Sequence, residues 1–96
     1  MTAALQPVPS APSLRDLIAA EARAHAARLN VSGRTLARRL NKDQTWVSRR
    51  FNGVIPMDAD DIEMVAGGLG ITVEELLRDA IRRLGSSAVI GADTAR

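Results

Sequence analysis

The sequence has no cysteine and no tyrosine among its 96 residues, and its only aromatic side chains are Trp46 and Phe51. Without cysteine the chain forms no disulfide and no thiolate zinc site, and it needs no oxidising compartment. With so few aromatic residues, the core must be built mainly from Leu, Ile, Val and Ala. A chain of this length has room for one small domain with one core.

Long apolar runs are missing as well. No segment approaches the roughly 20 apolar residues that a membrane-spanning helix needs. The N-terminal sequence MTAALQPVPSAPS also lacks the basic start and apolar centre of a signal peptide. We therefore expect a cytoplasmic protein that does not associate with a membrane.

The residue patterns of catalytic and metal sites are absent too. There is no glycine-rich phosphate loop and no base for a serine nucleophile, and the single histidine, His25, is expected to be partly buried and hydrogen-bonded. A cluster of acids does not have the spacing of a calcium-binding loop, and it suits the positive end of a helix dipole: Asp58, Asp60, Asp61 and Glu63. We expect no enzymatic activity, no cofactor and no metal.

Basic residues are concentrated in the middle of the sequence. Residues 32–53 hold six of the thirteen basic residues and one acidic residue, a net charge of +5. Residues 1–31 have a net charge of +1 and residues 54–96 of −4, so the total of +2 conceals this asymmetry. Such a concentration is typical of a phosphate-binding surface, although a solvated helix face explains the charges equally well when they are considered alone.

Prolines, glycines and helix-capping residues divide the chain into an arm, a domain and a tail. The proline-rich residues 1–12 are expected to form a flexible N-terminal arm. Gly85 is expected to end the last helix, which leaves residues 86–96 as a C-terminal tail. Residues 13–85 contain no strand pattern, and we predict an all-α domain of five helices.

Each predicted helix begins at a side chain that can accept a hydrogen bond from the helix N-terminus. The expected capping residues are Ser13, Ser32, Asp43, Asp58 and Thr72, the last with Glu75 in a capping box. Asn41 lies between the second and third helices, where a tight turn needs a left-handed backbone. The face of the first helix that we expect to be buried comprises Leu14, Leu17, Ile18, Ala22, His25 and Leu29.

The third predicted helix, residues 43–52, is amphipathic. When Val47 is directed inward and each residue turns by about 100°, Phe51 falls on the same side. The opposite side carries groups suited to base edges in a DNA major groove: a Gln amide matches adenine, an Arg guanidinium matches guanine, and Thr offers a hydroxyl and a methyl group. The residues expected to contact bases are Gln44, Thr45, Ser48 and Arg49.

Two segments, LARRLNKDQTWVSRRFNG (residues 36–53) and DDIEMVAGGLGITVEELL (residues 60–77), resemble the lambda-repressor-like, Cro-type helix-turn-helix family of small phage and bacterial regulators. The resemblance extends over roughly residues 14–84. It implies a five-helix lambda-repressor-like bundle that binds operator DNA, usually as a dimer, and whose third helix reads the bases. By the same resemblance Gln44, Thr45 and Arg49 read bases.

The resemblance also implies contacts with DNA phosphates, made by Ser32, Arg34 and Asn52. We add Thr35, Lys42 and Arg50 to this expected phosphate set. Arg50 replaces an apolar residue that is usual in the family, so we expect Phe51 to take over its packing. Arg50 then either reaches a phosphate or stacks on Trp46 at the margin of the DNA contact. Simple apolar cover is an equally good interpretation of Trp46.

A single helix-turn-helix of this size contacts only one half-site, so we expect a homodimer on a palindromic double-stranded DNA operator, formed fully only on the DNA. The helices before Gly70 are expected to supply the core. The residues left to form the dimer contact are then Ile81, Leu84, Val89 and Ile90.

The pattern as a whole predicts a sequence-specific transcription regulator, a phage or bacterial repressor that acts at the nucleoid. One alternative is an antitoxin, which uses the same DNA-binding fold and also neutralises a partner toxin. The other is a protein-interaction module that has kept the fold without binding DNA. That alternative predicts a neutral or acidic third helix, and the basic residues of the observed sequence disfavour it.

Overall fold

A computed structural model describes the backbone of residues 13–95 and the side chains of residues 13–85. Five α-helices and no strands make up this part of the chain, which confirms the predicted all-α fold. The helices are α1 (Leu14–Arg28), α2 (Gly33–Leu40), α3 (Gln44–Phe51), α4 (Ala59–Leu69) and α5 (Val73–Ala95). The expected arm of residues 1–12 lies outside the described residues.

The helices begin where the sequence predicts. Four capping side chains each accept a hydrogen bond from the backbone N–H three residues later: Ser13, Ser32, Asp43 and Asp58. At the start of α5 the backbone N–H of Glu75 donates to the Thr72 hydroxyl, and the backbone N–H of Thr72 donates to the Glu75 carboxylate, both at 2.9 Å. These hydrogen bonds with Thr72 lower the pKa of Glu75.

The turn between α2 and α3 has the geometry expected of it. Asn41 has φ 57° and ψ 41°, a left-handed conformation that Asn tolerates better than most residues. Its N–H and that of Lys42 donate to carbonyls of the last turn of α2, which ends the helix. Only three residues, 41–43, therefore separate the two helices.

The prediction that Gly85 ends the last helix is wrong. Helix α5 continues through Gly85 to Ala95. Glycine in a helix costs about 1 kcal/mol relative to alanine, but it ends the helix only when it adopts a left-handed backbone. Gly70 has that conformation, with φ 78°, and ends α4, whereas Gly85 does not.

The core includes α5 as well as the four helices before it. Leu76 and Ala80 of α5 are fully buried, and α5 packs extensively against α1. The expectation that the helices before Gly70 supply the core is therefore wrong. The main cluster contains Ala22, Ala26, Leu36, Ala37, Val47, Phe51, Val65, Ala66, Leu69 and Leu76, and a second contains Leu17, Ile18 and Ala80.

The buried face of α1 differs at its ends from the predicted one. Leu14 and Leu29 are exposed because they lie at the two ends of the helix, and only its middle turns face the core. Glu21 is buried instead, and its carboxylate lies 3.0 Å from the Arg83 guanidinium of α5. His25 is partly buried and lies within hydrogen-bonding distance of Arg28, as expected.

Helices α2 and α4 approach each other closely at Gly68. A Cβ atom at this position would lie 2.5 Å from Leu36 Cδ1 and 2.9 Å from Leu40 Cδ2. Two adjacent glycines in a helix cost about 1 kcal/mol each in stability relative to alanine. The structure gives a reason for glycine at position 68, because its missing side chain leaves room for the leucines of α2.

We expect Gly68→Ala to destabilise the domain by about 1–3 kcal/mol, the usual cost of overpacking a core. Gly67→Ala is the matched control, because a Cβ at Gly67 has no heavy atom within 4 Å among the described residues. That variant should be as stable as the parent or up to about 1 kcal/mol more stable. Thermal and urea unfolding would measure both variants, and equal stabilities for the two would contradict the close approach.

Candidate nucleic-acid interface

Helix α3 is held in the domain by one buried face. Val47 is 2% exposed and Phe51 is 9% exposed, and both belong to the main core cluster. Phe51 thus provides the packing that the sequence assigned to it. The Arg23 guanidinium of α1 also donates a hydrogen bond to the Phe51 carbonyl, at the C-terminal end of α3 where a cation is favoured.

The opposite face of α3 is free of the core. All four residues expected to read bases are exposed, as is Asn52 just after the helix: Gln44, Thr45, Ser48 and Arg49. The Asn52 amide donates to the Ser48 hydroxyl at 3.3 Å, which links two positions of this surface that lie one turn apart. We call Gln44, Thr45, Ser48, Arg49 and Asn52 the polar face of α3. Its contact with bases stays a prediction.

Four of the six expected phosphate contacts lie at the ends of α2. Ser32 caps the helix N-terminus, and its hydroxyl donates to the Thr35 hydroxyl at 3.0 Å. These two residues line a shallow concavity of about 190 Å³ against the end of α1. Arg34 and Lys42 are exposed, and neither forms a salt bridge within the part of the chain that the structure describes.

A larger concavity, of about 480 Å³, flanks the polar face of α3. It lies between the turn that precedes α3 and the loop that follows it, near Ile55. Its lining also contains the three residues of the turn, two residues of the polar face and two of their neighbours in α3: Asn41, Lys42, Asp43, Thr45, Arg49, Trp46 and Arg50. Three cations therefore border one open surface.

The guanidinium of Arg50 contacts two other side chains of the protein. Its guanidinium carbon lies 4.0 Å from the centre of the Trp46 ring, and its Nε donates to Asp61 Oδ2 at 3.0 Å. Stacking on Trp46 was one of the two predicted roles of Arg50. The phosphate role stays a prediction, and the observed geometry disfavours it because Asp61 already occupies the guanidinium.

Trp46 is partly buried and packs against the main core cluster. It therefore provides apolar cover, one of the two interpretations that the sequence left open. Lys42 Nζ lies 5.4 Å from the ring centre, on the side of the helix-turn-helix turn. The ring thus lies beside two cations at the edge of the polar face.

Not all the cations of residues 32–53 are free of contacts within the protein. Arg39 is exposed, but its guanidinium donates to the Gly68 carbonyl of α4 at 2.8 Å. With Arg50 bound to Asp61, two of the six cations connect this segment to α4. Sequence reasoning missed both contacts because their partners are 29 and 11 residues away, beyond the reach of any helical spacing.

The residues expected at a dimer contact differ in how far they are exposed. Ile81 is 54% exposed, as a contact residue should be in a free monomer. Leu84 is only partly exposed and packs against the cluster of Leu17 and Ile18, so it is occupied within the chain. Val89 and Ile90 lie outside the side chains that the structure describes.

The described helices contain neither a membrane-spanning segment nor a group of metal-binding side chains. None of these helices combines the length and apolar composition needed to cross a bilayer. Within residues 13–85, no three His, Asp or Glu side chains are grouped as they would be in a metal site. The acids at the start of α4 instead act within the chain, since Asp58 and Asp61 form a reciprocal capping box.

Five helices, a three-residue turn between α2 and α3, and an α3 that is buried on one face and polar on the other define a helix-turn-helix domain. No protein-family model matches the sequence, and no curated protein matches it. Two solved structures are similar, both of the clp gene regulator ClgR from Corynebacterium glutamicum. One has a TM-score of 0.70 and 25% identity and covers 74% of this chain and 92% of that chain. The other has a TM-score of 0.67 and 26% identity and covers 88% of this chain and 86% of that chain.

The fold is therefore that of a helix-turn-helix regulator, and both similar structures are of a gene regulator rather than of an enzyme. The narrower assignment to the lambda-repressor-like family and the phage origin stay predictions.

We expect Phe51→Ala to destabilise the domain by about 3–5 kcal/mol, because it removes a buried aromatic ring that fastens α3 to the core. Ser48→Ala, on the exposed side of the same helix, is the control and should change stability by no more than about 0.5 kcal/mol. Thermal unfolding of the two variants measures the difference. A Phe51→Ala protein as stable as the parent would mean that the orientation of α3 is wrong.

Proposed function

We propose that this chain is a sequence-specific, double-stranded DNA-binding transcription regulator, and that it acts as a repressor in the cytoplasm of a bacterial cell or phage host. One observation carries the proposal. Helix α3 follows a three-residue turn, buries Val47 and Phe51, and exposes Gln44, Thr45, Ser48 and Arg49 on its other side. The similarity to a clp gene regulator supports the same class.

The proposed chemistry divides the exposed residues into two groups. Gln44 and Arg49 have the paired hydrogen-bonding groups that distinguish adenine and guanine in the major groove, and Thr45 can contact a thymine methyl group. Arg34 and Lys42, with the hydroxyls of Ser32 and Thr35, would bind phosphates, which fix the register of the helix but carry no sequence information. Asn52 is also assigned to the residues that would bind phosphates.

We also propose that two copies bind one palindromic operator. A dimer doubles the number of bases read, and two-fold symmetry sets the half-sites about 10 base pairs apart or at a multiple of this spacing. Among the described side chains of α5, Ile81 is an exposed apolar residue, 54% exposed, that such a contact could bury. Because this apolar surface is small, we expect a weak dimer that forms fully on DNA.

The function is tested by selecting duplexes from a random DNA pool and measuring affinity for the selected operator at several salt concentrations. Binding should weaken steeply as salt rises, since each phosphate contact contributes about −0.9 to the slope of log affinity against log salt. Failure to enrich any sequence, with binding that is insensitive to salt, would contradict the proposal.

The variants Arg49→Ala and Arg34→Ala distinguish contacts with bases from contacts with phosphates. Arg49→Ala should cost about 1–3 kcal/mol of binding free energy on the operator and relax the preference at one base position. Arg34→Ala should weaken binding to all duplexes alike and lower the salt slope by about 0.9. Titrations on operators with single base changes measure both effects. An Arg49→Ala protein with an unchanged base preference would remove Arg49 from the reading set.

The dimer is tested with Ile81→Ser and the control Arg82→Ser, which alters the neighbouring exposed position of α5 without removing apolar surface. Ile81→Ser should reduce the cooperativity of binding to a palindromic operator, whereas Arg82→Ser should leave it unchanged. Light scattering of the free protein and the stoichiometry on DNA provide the measurements. One chain per operator at saturation would contradict the dimer.

A further inference from the structure

The pair of Arg50 and Asp61 is the most enclosed ionic contact beside the polar face of α3. The side chains of the two residues are 15% and 10% exposed. The Arg50 guanidinium lies between the Trp46 ring and the carboxylate, and it also donates to the Trp46 carbonyl at 3.3 Å. Three separate contacts therefore fix its position.

Asp61 is itself held in place by its own helix. Its Oδ2 accepts a hydrogen bond from the Asp58 N–H at 3.2 Å, and the Asp61 N–H donates to Asp58 Oδ1 at 2.8 Å. The carboxylate cannot turn to solvent without breaking this capping box. An enclosed carboxylate without its cation would also be strongly destabilising. Asp61 thus presents a fixed negative charge to α3.

Arg50 would be a DNA-binding side chain if this carboxylate were absent. It lines the same open concavity as Thr45 and Arg49, so its guanidinium lies at the edge of the polar face of α3. A guanidinium without a protein partner at that edge would bind a DNA phosphate, whatever the base sequence. Such a contact raises affinity for all DNA alike, because a phosphate carries no sequence information.

We propose that Asp61 is a positioning residue that limits the affinity of the protein for DNA of any sequence: it withholds Arg50 from DNA phosphates and fixes α3 against the start of α4. The inference rests on the proposed DNA-binding function. Asp61 makes no contact with DNA in this scheme and acts through Arg50. The segment of residues 32–53 then presents fewer phosphate-binding cations than its sequence suggests, and its binding to all DNA depends less steeply on salt.

The matched pair of variants is Asp61→Asn and Asp60→Asn. Both remove one negative charge from the first turn of α4, but Asp60 is exposed and forms no salt bridge among the described residues, whereas Asp61 binds Arg50. In the free protein, fluorescence of the single tryptophan reports on the stacked guanidinium. We expect the emission of Trp46 to change in Asp61→Asn and to stay as in the parent in Asp60→Asn.

On DNA, Asp61→Asn should bind non-specific duplex more tightly and steepen the salt slope by about 0.9, the contribution of one further phosphate contact. Between 50 and 200 mM salt this slope corresponds to an additional loss of about 3.5-fold in affinity. Affinity for the operator should rise by a similar factor, because the added contact is to a phosphate. Asp60→Asn should show neither the slope change nor the gain in affinity.

A double variant keeps the test decisive if Asp61→Asn unfolds. Arg50→Gln, Asp61→Asn removes both charges together, so neither is left enclosed without a partner. Its salt slope should equal that of the parent, because Arg50 binds no phosphate in the parent. Arg50→Gln alone should show the same slope, although it leaves the Asp61 carboxylate without its cation and is expected to be less stable. A smaller slope in the double variant or in a folded Arg50→Gln would overturn the inference, as would an unchanged slope in a folded Asp61→Asn.

The measurements distinguish the two proposals. A parent protein that selects no duplex and binds none in a salt-dependent way overturns the proposed function, and the inference about Asp61 falls with it. A parent that binds its operator, with variants that do not follow the expected slopes, overturns the inference alone.

Discussion

Helix α3 has only eight residues, and a helix of that length is not stable by itself in water, where roughly 12–15 residues are needed. Its existence depends on the burial of Val47 and Phe51 against α1 and α2. That burial also determines what the helix can present, because fixing one side inward directs the other side to solvent. The exposed set of Gln44, Thr45, Ser48 and Arg49 is thus a consequence of the same packing that makes the helix form.

Three arginines reinforce this arrangement by joining one helix to another. Arg23 of α1 binds the last carbonyl of α3, Arg39 of α2 binds a carbonyl near the end of α4, and Arg50 of α3 binds Asp61. Two of these contacts put a cation at a helix C-terminus, where the backbone carbonyls lack partners. The protein therefore divides its basic residues between holding the helices together and remaining available for a polyanion.

Features that depend on neighbours in sequence were predictable. The capping residues, the left-handed Asn41 and the inward direction of Val47 and Phe51 all follow from hydrogen bonds or helical spacing within a few residues. The end of α5 was not predictable from Gly85, because one helical glycine has too small a cost to overrule the residues around it. The burial of Glu21 was also missed, since its partner Arg83 is contributed by another helix.

The sequence by itself determined that the described residues form helices and no strands, where the five helices begin, and which polar residues follow the tight turn. Only the tertiary structure decided which cations are free. Arg34, Lys42 and Arg50 look alike in the sequence, yet only Arg50 meets a carboxylate within the described residues. The physical reason is that local hydrogen bonds and helical periodicity act over a few positions, whereas an ion pair or a close approach such as that at Gly68 depends on how separate helices pack.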